Sequence, residues 1–294
     1  IFAVPFGSKK ILEANTSFVY RVYVGDRLYS DESYYDMTNW IDEETIIDVT
    51  VNVGYADVHV YTLQDTTEAK VVVQYDRTVD LQSVSIDFNE LDGSFQVDGN
   101  LAQETYDAMS DALIPQIEIY LPADVTIANL ELTTTFGGDI VVNYVSAETL
   151  ELTATNADIS ITSSTETIEN FDLILDSSQF NIRTETANSM ILTMSNSTGS
   201  LLLRNVTNQI ELDLTSSELD FFSTNSDSLI IHSQESSLNL IEVYASEISV
   251  TLERDTYRHS NSSEEGIDNY IIIVMEDANV ELKGVTCDYQ SPTE

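Results

Sequence analysis

A repeat of about 20 residues limits what this chain can fold into more than any other feature. Apolar pairs open short segments at Leu130-Glu-Leu132, Leu150-Glu-Leu152, Phe171-Asp-Leu173, Met190-Ile-Leu192, Ile210-Glu-Leu212 and Leu229-Ile-Ile231. Their starts lie 20, 21, 19, 20 and 19 residues apart. The alternation within each is that of a strand with one buried face. A second strand follows a polar turn, at Ile140/Val142, Ile159/Ile161, Phe180/Ile182, Leu201/Leu203, Leu219/Phe221 and Leu238/Leu240, always 9 to 11 residues after the first. One such unit cannot bury its own apolar face, but stacked units bury a continuous ladder. The expected fold is all-β: a right-handed parallel β-solenoid, or β-helix, with ~20-residue rungs. An antiparallel sandwich is the alternative, but it does not require offsets this constant.

The pattern runs past residue 229 through Ile248/Val250, and resumes at Ile271/Ile273 and Val280/Leu282 after a polar stretch taken as an insertion at 254–269. Backwards it is less regular. Val49/Val51 pair with Val58/Val60, Ile86/Phe88 with Phe95/Val97, and Ile117/Ile119 close a strand at Leu121-Pro122. Residues 100–113 read as a helix or long loop. The solenoid is therefore placed at 45–294. Residues 1–44 lack the repeat and are rich in aromatics, including Tyr34, Tyr35 and Trp40. They form either a cap over the solenoid end or a contact with another subunit.

Composition narrows the partners. A hydrophobic content of 42 % suffices for a core and argues against general disorder. Acidic residues outnumber basic ones 51 to 11, a formal net charge of −40. Such a surface repels nucleic-acid phosphates and anionic lipid heads, so no nucleic-acid partner is expected. It suits a basic partner, a salty medium or cation binding, and plain solvation explains it equally well. No stretch approaches the ~20 apolar residues of a membrane span. The single Cys287 excludes an internal disulfide. Sequons at Asn15, Asn196, Asn205 and Asn261 are glycan acceptors if the source N-glycosylates.

Residues with catalytic company are scarce. His59, His232 and His259 show no zinc-ligand spacing, and His259 is expected in an exposed, solvated loop. Neither a Gly-x-Ser-x-Gly elbow nor a phosphate-binding glycine loop is present. The acids Glu131, Glu151, Asp172, Glu211 and Asp213 alternate with the core ladder and face outward. A polysaccharide-active enzyme would use such acids with basic neighbours, yet between Leu130 and Val250 the basic residues are Arg183 and Arg204. No catalytic, cofactor or metal set is assigned. Calcium is the one ion worth testing, at Asp139, Asp158 and Asp176, which recur at similar points of successive rungs.

From about Ile46 to Leu282 the chain resembles the bacterial toast-rack-like adhesin family of repetitive β-helix proteins, whose function is unknown. The resemblance rests on Val49-Thr-Val-Asn-Val53 with Asp57-Val-His-Val60, on Ile117-Glu-Ile-Tyr-Leu-Pro122, and on Leu130-Glu-Leu-Thr-Thr-Thr-Phe-Gly-Gly-Asp-Ile140. It implies a β-helix fold, surface adhesion without a catalytic set, and an extracellular or cell-surface location; it carries no functional residues. The expected function is a non-enzymatic structural or adhesive protein, possessing the means to form a fibre or other homo-oligomer. Ile1, Phe2, Val4 and Phe6, with the strand-like Phe18, Tyr20 and Val22, would add to a neighbouring subunit's sheet. The alternative is a monomeric carbohydrate- or surface-binding domain with a glycan ligand; a polysaccharide-active enzyme is third.

Overall fold

A computed structural model describes residues 18–24, 28–37, 46–76, 84–89, 93–99, 114–163, 168–261, 270–284 and 287–290. The expectations for Ile1 to Phe6, Asn15, Trp40 and residues 100–113 lie outside these described residues. Every described element is a strand. The first eight are β1 (Phe18–Val24), β2 (Leu28–Asp36), β3 (Ile46–Val53), β4 (Asp57–Leu63), β5 (Glu68–Asp76), β6 (Val84–Asn89), β7 (Ser94–Gly99) and β8 (Gln116–Pro122). The repeat proper supplies β9 (Thr126–Thr134), β10 (Gly138–Asn143), β11 (Ala147–Thr155), β12 (Ala157–Ser163), β13 (Ile168–Asp176), β14 (Gln179–Ala187), β15 (Ser189–Ser195) and β16 (Thr198–Val206). It continues through β17 (Gln209–Thr215), β18 (Glu218–Gln234), β19 (Ser237–Glu253), β20 (Thr256–Ser260), β21 (Tyr270–Glu276), β22 (Asn279–Lys283) and β23 (Cys287–Gln290).

These strands form a β-solenoid of about seven turns. One face stacks β9, β11, β13, β15, β17, the second halves of β18 and β19, β21 and β23, all parallel. The other stacks β10, β12, β14, β16, the first halves of β18 and β19, β20 and β22. The anticipated ladder is present residue for residue. Leu130, Leu150, Phe171, Met190, Ile210, Leu229, Ile248 and Ile271 are successive register partners. None is more than 2 % exposed. Burying each such side chain contributes roughly 1.5–3 kcal/mol before entropy is counted.

The second ladder corrects the sequence alignment at one rung. Ile140, Ile159 and Phe180 are followed by Gly199, not Leu201, before Leu219 and Leu238. Leu201 instead follows Ile182 and precedes Phe221. The hydrophobic pattern favoured an 11-residue offset here because the residue at the true 9-residue offset has no side chain. Phe180 explains the vacancy. A Cβ on Gly199 would lie 2.3 Å from atoms of its ring, so one phenyl fills the place of two side chains.

The turns stack as regularly as the strands. Asn156, Ser177, Asn196, Ser216, Glu235, Arg254 and Asp277 all adopt positive φ, between 50° and 58° except Ser216 at 49°. A hydrogen bond to the next rung supports this conformation. Asn156, Ser177, Asn196, Ser216, Glu235 and Arg254 each donate a backbone N–H to a carbonyl there, at 2.8–3.0 Å. Directly after five of the seven comes a buried polar residue: Ser178, Ser197, Ser217, Ser236 and finally Asp255. Each serine hydroxyl donates to the carbonyl two residues back (2.7–2.8 Å). The same oxygens accept the N–H of the preceding rung's residue, from Ala157, Ser178, Ser197 and Ser217. Asp255 ends the chain of bonds by accepting from Ser236 N–H at 2.6 Å. No buried hydroxyl in this column is left to be desolvated without a partner.

At the N-terminal end the rungs do not follow chain order. β3 and β4 lie inside β7 and β8, giving spatial orders β7-β3-β9 and β8-β4-β10. Ile86 and Phe88 do not start a parallel rung, as their spacing suggested; β6 pairs antiparallel with β7 as a hairpin. Beyond β8 the second face continues antiparallel through β5, β2 and β1. Within the region read as an insertion, β20 keeps the repeat going, with Tyr257 in register between Leu238 and Val280. His259 is therefore not a solvated loop residue. It points inward and is 1 % exposed. Its polarity disguised an inward position that other rungs fill with Val, Ile, Leu or Phe221.

The Gly199–Phe180 fit is directly testable. Gly199→Val should destabilise by about 1–3 kcal/mol through overpacking. Adding Phe180→Ala should relieve it, so that the two costs in urea unfolding fall short of additive by roughly 1 kcal/mol or more. Additive costs would mean that the ring does not occupy the glycine's place.

Candidate functional site

The three aspartates proposed for calcium do not converge. Asp139 and Asp158 are register partners on β10 and β12. Asp57 Oδ1 accepts the Asp139 N–H at 2.9 Å. Burial pushes the Asp57 carboxyl up, against the opposing effect of that N–H. Asp176 stands elsewhere, because it precedes the turn's positive-φ residue whereas Asp158 follows it. Its Oδ1 accepts from Ser195 Oγ at 2.6 Å and from Asn196 Nδ2 at 3.3 Å, and these bonds hold its pKa below the usual carboxylate value. Among the described residues, no three His, Cys, Asp or Glu side chains are grouped to hold a metal.

The outward acids form a column. Glu131, Glu151 and Asp172 are consecutive register partners, followed by Ile191 and Glu211. Ile174 and Ile191 are 50 % and 44 % exposed beside them. His59 and His232 lie on opposite faces, on β4 and the second half of β18. Asn196 and Asn205 are exposed. Asn261 is 6 % exposed, with Nδ2 donating to Val243 O at 3.0 Å and Oδ1 accepting from Val243 N–H at 3.1 Å. Its amide brackets a strand and has no room for a glycan. Phe18, Tyr20 and Val22 lie on β1, paired in register with Tyr34, Glu32 and Ser30. No described helix is long and apolar enough to cross a membrane.

The most chemically organised surface lies where the parallel face meets its antiparallel extension. Strand registers place Tyr61, Tyr120, Lys70 and Tyr34 in one row across β4, β8, β5 and β2. All four are half-buried. The Tyr61 and Tyr120 rings stack at 5.4 Å with a 22° interplanar angle. Lys70 Nζ lies 5.7 Å from the Tyr34 ring centre and 5.9 Å from that of Tyr120. It also pairs with Glu32 Oε1 at 3.2 Å. Two carboxylates order the phenols: Tyr34 donates to Glu32 at 2.8 Å, and Tyr120 to Glu118 at 3.1 Å. Between these acids in register sits Val72, 4 % exposed, as an apolar floor. Burial and the Glu118 charge push the Tyr120 phenol up to about 12, and burial raises Tyr61. His59 continues the surface, edge-on to Tyr61 at 6.0 Å and 3.0 Å from Gln116 Nε2 through Nδ1.

No family model and no curated protein matches the sequence. Several solved structures are similar over most of their length. One is named a putative adhesin, from Parabacteroides distasonis: 12 % identity, 90 % of this chain and 95 % of that chain covered, TM-score 0.46. Another, a putative adhesin from Parabacteroides merdae, shows 11 % identity over 91 % and 96 % of the chains, TM-score 0.37. A third is named a putative lipid binding protein, from Parabacteroides distasonis: 10 % identity, 90 % and 97 % covered, TM-score 0.29. At these identities and scores the likeness carries no argument about function.

One buried cluster ties stability to pH. His259 Nε2 lies 2.9 Å from Val243 O, which can only accept, so Nε2 carries the proton. Its Nδ1 then accepts from Tyr257 OH at 3.2 Å. This arrangement needs neutral imidazole, and burial lowers the His259 pKa against the opposing pull of Val243 and Asn261. Its register neighbours, Leu240 and Leu282, carry no charge. Unfolded histidine titrates near 6.5. The contribution of His259 is thus complete above that value, declines as pH falls below it, and is gone below the lowered folded value. Between pH 8 and 5 the unfolding free energy of wild type, measured by urea titration, should fall relative to that of His259→Gln, by up to about 1.4 kcal/mol per pH unit. Parallel profiles would show that the imidazole is not held neutral.

Proposed function

We propose that this protein is a non-enzymatic, extracellular or cell-surface binding protein that adheres through the tyrosine row of its second face. The observation behind this reading is the row itself. Backbone registers on four strands hold three phenols, an ammonium and two carboxylates outward in fixed order. Aromatic rings with polar tips are the side chains most suited to contact a wet surface. Preorganisation on a hydrogen-bonded sheet removes much of the entropy cost of binding. The −40 charge keeps such a protein dispersed until it meets its target. Retention of the purified chain on mucin-, collagen- and cell-envelope-coated sensors tests the proposal. Tyr120→Ala should reduce retention several-fold on the surface that binds, and no reducing ends should be released. Retention on none of the surfaces, or release of product, would overturn it.

A second reading, assembly into a filament, draws support from β1. Among the described residues β1 pairs with β2 alone, leaving its other edge open to strand addition. Repeated head to tail, such addition makes an open fibre. Adjacent residues of an antiparallel strand turn their N–H groups to opposite sides, so either Val19 or Tyr20 faces away from β2. Proline at that position should lower the mass seen by light scattering at high concentration, while the fold is kept. A wild-type chain that stays monomeric at millimolar concentration would end this reading.

A further inference from the structure

The row also limits what kind of ligand it can take. An anionic polymer meets Glu32 and Glu118 with one ammonium, Lys70, which Glu32 already engages, on a chain of net charge −40. A cationic group finds the position between the Tyr34 and Tyr120 rings already filled by Lys70 Nζ. A lipid chain would strip water from two carboxylates, an ammonium and three phenols while supplying them no hydrogen bonds, which costs kilocalories for each group. The remaining ligand class has apolar C–H faces and hydroxyls along one chain.

We infer that the tyrosine row is the binding strip for a neutral glycan, which deepens the adhesive reading above and rests on it. The roles follow from the contacts. The stacked Tyr61 and Tyr120 rings offer the apolar strip, and buried Val72 separates the two acids in register. Glu118 and Glu32 each accept one phenol hydroxyl, and their remaining lone pairs can accept sugar hydroxyls. Lys70 and the Tyr61 hydroxyl donate, while the Tyr34 and Tyr120 hydroxyls, whose protons go to the two acids, accept. Gln116 and His59 extend the polar margin on the Tyr61 side. The row crosses three inter-strand spacings, about 14 Å, so it fits an oligosaccharide rather than a single sugar. Apolar lining with a few placed polar groups is the usual design of a small-ligand site. The phenols stay protonated across physiological pH, so the strip keeps this character in any ordinary medium.

The test is calorimetry of the full chain with malto-, cello-, xylo- and mannohexaose, and with an anionic oligogalacturonate of matching length. At least one neutral hexaose should bind, and the oligogalacturonate should not. Tyr61→Ala/Tyr120→Ala should weaken the Kd tenfold or more, with the far-ultraviolet dichroism kept. Glu118→Gln, which preserves shape and bulk, should weaken it several-fold and serves if the double variant misfolds. The inference fails if no neutral hexaose binds, if the oligogalacturonate binds better, or if these variants bind as wild type does. Surface retention without hexaose binding sinks the glycan assignment and leaves the adhesive reading standing; loss of both sinks the two together.

Discussion

The structure depends on one constraint: neighbouring rungs pair in register, so every position in a turn must suit the same position above and below it. For the strands this means an apolar residue facing inward at each level, from Leu130 to Ile271. For the turns it means a residue in the left-handed region at each level, although most there are not glycine. Such a conformation costs a residue with a side chain roughly 1–2 kcal/mol. The cost is offset because its N–H meets a carbonyl of the next rung and the following serine seals the corner. Where a rung departs from the pattern, a neighbour compensates. Gly199 makes room for Phe180, and Asp255 accepts the hydrogen bond that a serine would otherwise accept.

The same constraint explains why some of the molecule was legible in the sequence and some was not. The ladder was readable because each rung repeats one period with one chemistry. Failures came where the chemistry at a ladder position changed without the geometry changing. Gly199 reads as a gap, so the apolar Leu201 drew the alignment two residues too far. Tyr257 and His259 read as part of a polar insertion, yet both are inward ladder residues of β20. A buried histidine with two hydrogen-bond partners has no signature separate from a solvated one. The N-terminal rungs were misread for another reason. Placing β3 between β7 and β9 reverses chain order, and a period cannot record spatial order.

Stacking also governs the surface. Carboxylates in adjacent rungs, such as Glu131, Glu151 and Asp172, sit only ~4.8 Å apart along their column and repel. They are tolerated because they are exposed, where water and salt screen them. The inward ladder sets the register, and the acids pay a small penalty for obeying it. In return the faces of the stack carry a charge that opposes sheet-on-sheet aggregation, the standing hazard of regular β structure. The acid columns therefore have a sufficient physical role without catalysis or a bound ion.

A strip of mixed chemistry has to arise differently. Within the repeat body, each outward column draws one residue from each successive rung, and those residues drift independently once the core is satisfied. The tyrosine row draws Tyr34, Lys70, Tyr120 and Tyr61 in that spatial order, from strands separated widely in sequence. Two of the joints are antiparallel and one is parallel. No period links these residues, so only the fold could reveal them as neighbours. Their bonding is equally specific: Glu32 serves both Tyr34 and Lys70, and Lys70 lies over rings from two strands. The inward ladders set the register of the repeat body without these outward contacts. A network assembled across four strands, at a junction where the repeat gives way to another topology, is what the proposed binding role would require.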